Sequence, residues 1–275
     1  MTITVQTNTA SMFAQSRLAT TQTALAKNFA HLSSGMRIND ASDDAAGLGI
    51  SMSMVAQVKS MAVAERNTND GISMAQTADG GAEQVSQILS RMRELAVQSS
   101  NGDLSTNDRT NLNTEYQSNL SEIDRIATST TFNGISLLSG SAATKDFQVG
   151  IGTASTDRIS VSFGGADATN LGVSGGDVTS FGNAQTAIGN IDTAIQNLST
   201  VRSGFGSGIN RLAYAVNNLQ SQQTNLSAAV SRIRDVDIAA ETAKMSQNQV
   251  LSQAGTAILA QANQMPQAAL TLLRG

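Results

Sequence analysis

One apolar ladder constrains this chain more than any other feature. Ile191, Leu198, Phe205, Leu212, Leu219, Leu226 and Ile233 recur every seven residues without a miss. Offset by four come Ile195, Ile209, Val216 and Val230, and Arg202 and Gln223 interrupt that second series. A sustained seven-residue apolar repeat requires a long helix packed against other helices, with the seam kept on one side. A further ladder, Leu251, Ile258, Met265 and Leu272, starts eighteen residues after Ile233, two heptads plus four. A four-residue insertion unwinds a supercoil locally, so a joint between two helical segments is expected near Asp235–Asp237.

The N-terminal part mirrors this. Leu18, Leu25 and Leu32 form a short ladder, followed by the glycine- and acid-containing break SSGMRINDASDDAAGLG (33–49). Helical spacing then resumes at Met74, Ala78, Val85, Ile88, Met92 and Leu95. Ser105 followed by Asp108 reads as an N-cap with its acidic third-position partner. It opens a helix with Leu112, Tyr116, Leu120, Ile123 and Ala127 on one face. The middle, 139–184, is rich in Gly, Ser and Thr. Phe147, Val149 and Ile151, then Ile159, Val161 and Phe163, alternate with period two around the turn-prone GTASTDR. That predicts a β-hairpin, with the rest, about 164–182, as loop. The fold expected is mainly α: long coiled-coil-like helices from both termini packed as a hairpin bundle, with a small β-hairpin insert.

Composition limits function. Charged residues are 14% of the chain, against roughly 25% in ordinary domains. A net charge of −4 without a Lys/Arg cluster argues against nucleic-acid binding. The absence of cysteine excludes disulfides and thiolate metal sites. No run of 18 apolar residues is present, so no membrane insertion is expected. The N-terminus lacks the basic start and apolar core of a cleaved secretory signal. The chain carries one histidine, His31, in a segment with no acid before Asp40, which makes a Ser-His-Asp triad improbable. Asp40, Asp43 and Asp44 resemble a calcium loop, but its sixth and twelfth positions would be Ala45 and Ser51; a capped or solvated helix entry fits better. GFGSG (204–208) lies inside the ladder with no Lys-Ser/Thr after it, so it is no phosphate loop. Its three glycines mark a soft or closely packed spot. No enzyme, cofactor or metal site is expected. The last stretch, LAQANQMPQAALTLLRG (259–275), is apolar with one side-chain charge and requires a partner surface.

Four stretches resemble bacterial flagellin: SSGMRINDASDDAAGLGIS (33–51), LSRMRELAVQSSNG (89–102), LSEIDRIATSTTFNGISLL (120–138) and SRIRDVDIAAETAKMSQNQVLSQAGTAILAQANQMPQAALTLLR (231–274). Similarity extends over about 1–138 and 185–275. The resemblance implies an inner helical domain from 1–44 and 235–275. It implies a second helical domain from 45–138 and 185–234, with 139–184 as its insert and no large outer domains. The implied function is that of a structural subunit polymerising into the helical filament of the flagellum for swimming. Subunit packing would run through Leu18, Leu25, Leu32, Leu251, Ile258, Met265 and Leu272. The implied partners are other copies, a flagellar export chaperone at Val250, Leu251, Ile258 and Leu259, and filament cap and hook-junction proteins. Toll-like receptor 5 would read Arg91, Leu95 and Glu115. Extracellular localisation through the flagellar type III pathway, without a cleaved signal, is implied too. A hook–filament junction protein and an intracellular coiled-coil adapter are the competing readings.

Overall fold

The structure, a computed structural model, describes residues 7–140 and 144–272. The elements are helices α1 (Thr9–Ser34), α2 (Ala45–Ser99) and α3 (Thr106–Ser129), strands β1 (Thr131–Phe132), β2 (Ile135–Ser136), β3 (Lys145–Gln148) and β4 (Arg158–Val161), then α4 (Ala168–Leu171), α5 (Phe181–Arg234) and α6 (Ile238–Leu272). They fall into two compact units, one from Met1–Ala56 with Asn225–Gly275 and the other from Gln57–Thr224.

In the larger unit the ladder of α5 is the seam. Ile191, Leu198, Phe205, Leu212 and Leu219 are all buried. The first four meet Met74, Ala78, Val85, Leu89, Met92 and Leu95 of α2 and Tyr116, Leu120 and Ile123 of α3 in one core. Arg202, which breaks the offset-four series, bonds at the edge to Asp79 on α2 (2.8 Å) and pairs with Glu83. α3 opens as its residues dictate: the Ser105 hydroxyl accepts from the Asp108 N–H, and the Asp108 carboxylate accepts from the Ser105 N–H at 3.1 Å.

The hairpin forms with β3 antiparallel to β4 and Phe147 opposite Ile159. Ile159, Val161 and Phe163 turn inward while Ser160 and Ser162 face solvent, as the alternation requires. Phe163 packs on Phe205 with ring centroids 5.6 Å apart. A smaller hairpin joins β1 to β2 through Asn133 (φ 49°) and Gly134 (φ 76°), the left-handed pair that tight hairpins need.

Residues 164–182 are not simply loop. They contain α4, and Ala166, Ala168, Leu171, Val173 and Val178 are buried. The backbone there is held by side chains of the helices: Asp124 accepts from Ala168 N–H (2.9 Å), and Asn113 accepts from Val178 N–H (3.0 Å). The apolar residues follow neither helical nor strand period because an irregular backbone carries them, so periodicity does not find them.

Candidate assembly surface

In the smaller unit α1 and α6 run antiparallel with closely approaching backbones. Asn8 caps α1 by accepting from Ser11 N–H (3.0 Å), and its amide donates to the Ala262 carbonyl (2.8 Å). Leu18 lies over Gly255, where an added Cβ would stand 3.3 Å from its Cδ1. Asn28 donates to Glu241 (2.6 Å) and accepts from Asn248 (2.8 Å). The α6 residues in this seam, Glu241, Asn248, Gly255 and Ala262, are spaced by seven. So are Ala14, Thr21 and Asn28 on α1. The seam is thus a heptad of small and polar residues, which a search for apolar repeats passes over. Its signal was present in the spacing and absent from the hydropathy.

Ile258 and Met265 of the apolar ladder border this seam, and the ladder stays largely open to solvent. Leu251, Ile258 and Met265 are 49%, 60% and 51% exposed, and the side chain of Leu272 lies outside the described residues. Leu18, Leu25 and Leu32 are half-buried, and the small and polar stripe of α6 supplies the inner contact. Two helices cannot each satisfy two faces with one partner, so the wider apolar face is left to solvent. Val250, Met12 and Phe13 are exposed with it, whereas Leu259 is half-buried. Beside them Ala10, Phe13, Ala14, Ile258, Ala262 and Met265 line an open groove of about 430 Å³ with almost wholly apolar walls.

The joint between α5 and α6 falls at Asp235–Asp237, where the stutter predicts it. Arg37 N–H donates to the Arg234 carbonyl (2.6 Å) and Val236 N–H to the Gly35 carbonyl (3.0 Å). Asp237 then caps α6 by accepting from Ala240 N–H (3.1 Å). The acids of the first break act as caps and turn anchors. Asp44 accepts from Gly47 N–H at the start of α2 (2.9 Å), and Asp40 accepts from Ser42 N–H (2.7 Å).

His31 is neither solvated nor alone. Its Nδ1 lies 3.1 Å from Glu241 Oε1 and its Nε2 lies 3.2 Å from Asp43 Oδ2. Both acids reach it from afar in sequence, which a local reading of the acid-free N-terminal segment misses. Burial pushes the Glu241 carboxyl up, but hydrogen bonds from His31, Asn28 and Lys244 outweigh it and hold the group below its ordinary value. Burial opposes ionisation of Asp43 too, and bonds from Lys27, the Asn39 N–H and His31 more than reverse it. With both ring nitrogens engaged by carboxylates, the ring activates no nucleophile.

On the larger unit, Arg91 bonds Glu115 at 2.8 Å and Glu94 at 2.9 Å, all three exposed. Leu95 is fully buried in the core. The expectation that its side chain meets a receptor is corrected: it packs the α2 helix that displays Arg91. No helix among the described residues is long and apolar enough to cross a membrane.

These features have close relatives. Residues 5–143 match the model of the bacterial flagellin N-terminal helical region, and 188–273 match that of the C-terminal helical region. The chain belongs to the bacterial flagellin family. It is 44% identical to a flagellin of Halalkalibacterium halodurans over 88% of this chain and 89% of that one. It is 40% identical to the flagellar filament 33 kDa core protein of Treponema phagedenis over 97% and 98% of the two chains. Among solved structures, Bacillus cereus flagellin is similar at 37% identity with a TM-score of 0.51, covering 60% of this chain and 94% of that one. A flagellar hook-associated protein of Vibrio parahaemolyticus shares the fold at 15% identity and a TM-score of 0.60.

Proposed function

We propose that this chain is the structural subunit of a helical flagellar filament, and that the outward apolar face of the α1–α6 pair carries its contacts with neighbouring copies. The single observation behind this is the exposed ladder Leu251, Ile258 and Met265 beside Met12 and Phe13. Contiguous exposed apolar surface on a helix pair seeks a partner, and a seven-residue repeat suits a long helix as that partner. A filament interior supplies one from each neighbour.

The same face serves export in this reading. Val250, Leu251 and Ile258 are accessible to a chaperone that covers them before assembly, and Leu259 contributes less. Export would follow the flagellar type III route to an extracellular filament bounded by cap and hook-junction proteins. Recognition by Toll-like receptor 5 would use Arg91 and Glu115. Chemistry plays no part in this role, and the chain is proposed to be no enzyme.

The test is seeded assembly, read by negative-stain electron microscopy, of the full chain and of a version truncated after Arg234. Filaments from the full chain alone support the proposal. A full chain that stays monomeric under seeding and salting-out favours the junction or adapter reading. Filaments from both versions would remove the α6 face from the assembly contact.

A further inference from the structure

Two Asn-Gly sequences stand in the larger unit, Asn101-Gly102 between α2 and α3 and Asn133-Gly134 between β1 and β2. Asparagine before glycine is prone to modify itself, because glycine has no Cβ to obstruct attack of its own nitrogen on the asparagine side chain. Both pairs are exposed, but their surroundings differ. Asn133 (φ 49°) and Gly134 (φ 76°) are pinned in the left-handed region, with Phe132 paired to Ile135 directly across the turn. The Asn133 side chain cannot swing onto the Gly134 nitrogen without opening that hairpin. Asn101 stands in an irregular connection, its own N–H donating to the Gln98 carbonyl (3.1 Å). Among the described residues, neither its side-chain amide nor the Gly102 N–H has a hydrogen-bond partner. A Cβ at Gly102 would meet nothing within 4 Å, so a ring has room to close there.

The main-chain carbonyl of Asn101 is held by a cation. The guanidinium of Arg109, a residue only 9% exposed, donates to this oxygen at 2.8 Å while it also donates to the Ser99 carbonyl. The Asn101 carbonyl and the Gly102 N–H belong to one peptide group and are coupled by resonance. Electron density drawn onto the oxygen leaves the N–H more acidic, and loss of that proton is what makes the nitrogen a nucleophile. Arg109 therefore favours attack by the Gly102 nitrogen. Among the described residues, no side chain donates to the Asn133 carbonyl.

We propose that Asn101 is a self-modification site at which Arg109 directs both the attack and its outcome. The Gly102 nitrogen gives up its proton and bonds Cγ of Asn101. The Cγ–Nδ2 bond breaks, and the side-chain nitrogen leaves as ammonia with that proton. A cyclic succinimide remains, and water opens it at one of its two carbonyl carbons. Addition at Cγ breaks the Cγ–N bond and leaves aspartate. Addition at the main-chain carbon breaks the C–N bond there and leaves isoaspartate, with the chain now running through Cγ and the former main-chain carbonyl a carboxylate. The oxygen that Arg109 holds belongs to that second carbon. The guanidinium stabilises the oxyanion on this route and then pairs with the carboxylate formed, a stronger partner than a neutral carbonyl. Isoaspartate is thus the favoured product. The α2–α3 connection gains a methylene in its main chain and a negative charge beside Arg109.

The reaction is independent of the filament reading. The experiment incubates the full chain at mildly alkaline pH, folded in buffer and unfolded in urea. Peptide mass mapping follows ammonia loss at each asparagine, and isoaspartyl methyltransferase labelling separates isoaspartate from aspartate. In the folded chain Asn101 is expected to react at least about tenfold faster than Asn133, the equivalent of one charge-assisted bond. In urea the two rates should converge, since the two sequence pairs are the same. The ratio of isoaspartate to aspartate at position 101 should be about tenfold higher in the folded chain than in urea, by the same bond. Arg109→Met should bring that ratio down to its urea value, whatever the loosened connection does to the rate. Equal rates at Asn101 and Asn133 in the folded chain overturn the proposal. So does a product ratio that Arg109→Met leaves unchanged.

Discussion

Gly204, Gly206 and Gly208 share one helix and one short motif, yet they meet different surroundings. A Cβ at Gly204 or Gly206 would enter open space, whereas at Gly208 it would stand 3.0 Å from Val161 Cγ2. Glycine costs a helix about 1 kcal/mol relative to alanine, so the first two sites carry that cost with no intramolecular return. Gly204→Ala and Gly206→Ala should each raise the unfolding free energy of the subunit by about 0.5–1 kcal/mol. Gly208→Ala should gain nothing, because Val161 and the hairpin that carries it must move. Urea denaturation of the three variants checks this, and a uniform gain would show that the hairpin yields freely at Gly208. The motif read as soft or closely packed is both, residue by residue. The distinction depends on what strand β4 brings to the helix from elsewhere in the chain. No local pattern contains it.

At the scale of elements, the long helices were legible and their ends partly so. The ladder of α5 and the stutter at Asp235–Asp237 follow from apolar spacing, and the cap of α3 follows from Ser105 and Asp108. The end of α2 does not. Its last carbonyl, that of Ser99, is satisfied by Arg109 of α3, whose guanidinium also donates to the Asn101 carbonyl just beyond the helix at 2.8 Å. Arg109 is 9% exposed and takes carbonyls in place of a carboxylate as partners. A cation at a helix C-terminus satisfies orphan acceptors and the local negative potential together. Arg109→Met keeps the apolar stem and leaves a buried carbonyl unpaired. It should cost about 1–3 kcal/mol, read as a lower urea midpoint with an unchanged slope. A midpoint within error of wild type would mean that water replaces the guanidinium. The α1–α6 seam escaped the sequence reading for a related reason. Apolar repeats identify a face that will be buried, but they do not say by which partner. Here the apolar ladder of α6 stays about half exposed, and Glu241, Asn248, Gly255 and Ala262 meet α1 instead.

For the molecule as a whole, the proposed assembly face and the residues that hold the fold are separate sets, which makes the two separable by mutation. Leu251, Ile258 and Met265 are each about half exposed, so replacing them with serine removes little that holds one chain together. In a filament the same side chains would lose their remaining water contact. Full burial of such a side chain is worth about 1.5–3 kcal/mol, so the exposed half contributes about 1 kcal/mol each. Summed over the three residues this is about 3 kcal/mol for every subunit added, which corresponds to a rise of roughly 100-fold in the concentration needed for growth. The triple variant Leu251→Ser, Ile258→Ser and Met265→Ser should therefore unfold in urea near the wild-type midpoint and fail to elongate seeds at concentrations where wild type grows. Sedimentation of seeded mixtures over a concentration series measures the second quantity directly. A variant that elongates at the wild-type critical concentration would show that neighbouring copies do not use this face, and the ladder would then belong to the export stage. A variant that loses stability as well would place these residues in the chain's own core, against their exposure. Only loss of growth with stability kept fits a subunit that folds through its small and polar seam and polymerises through its apolar one.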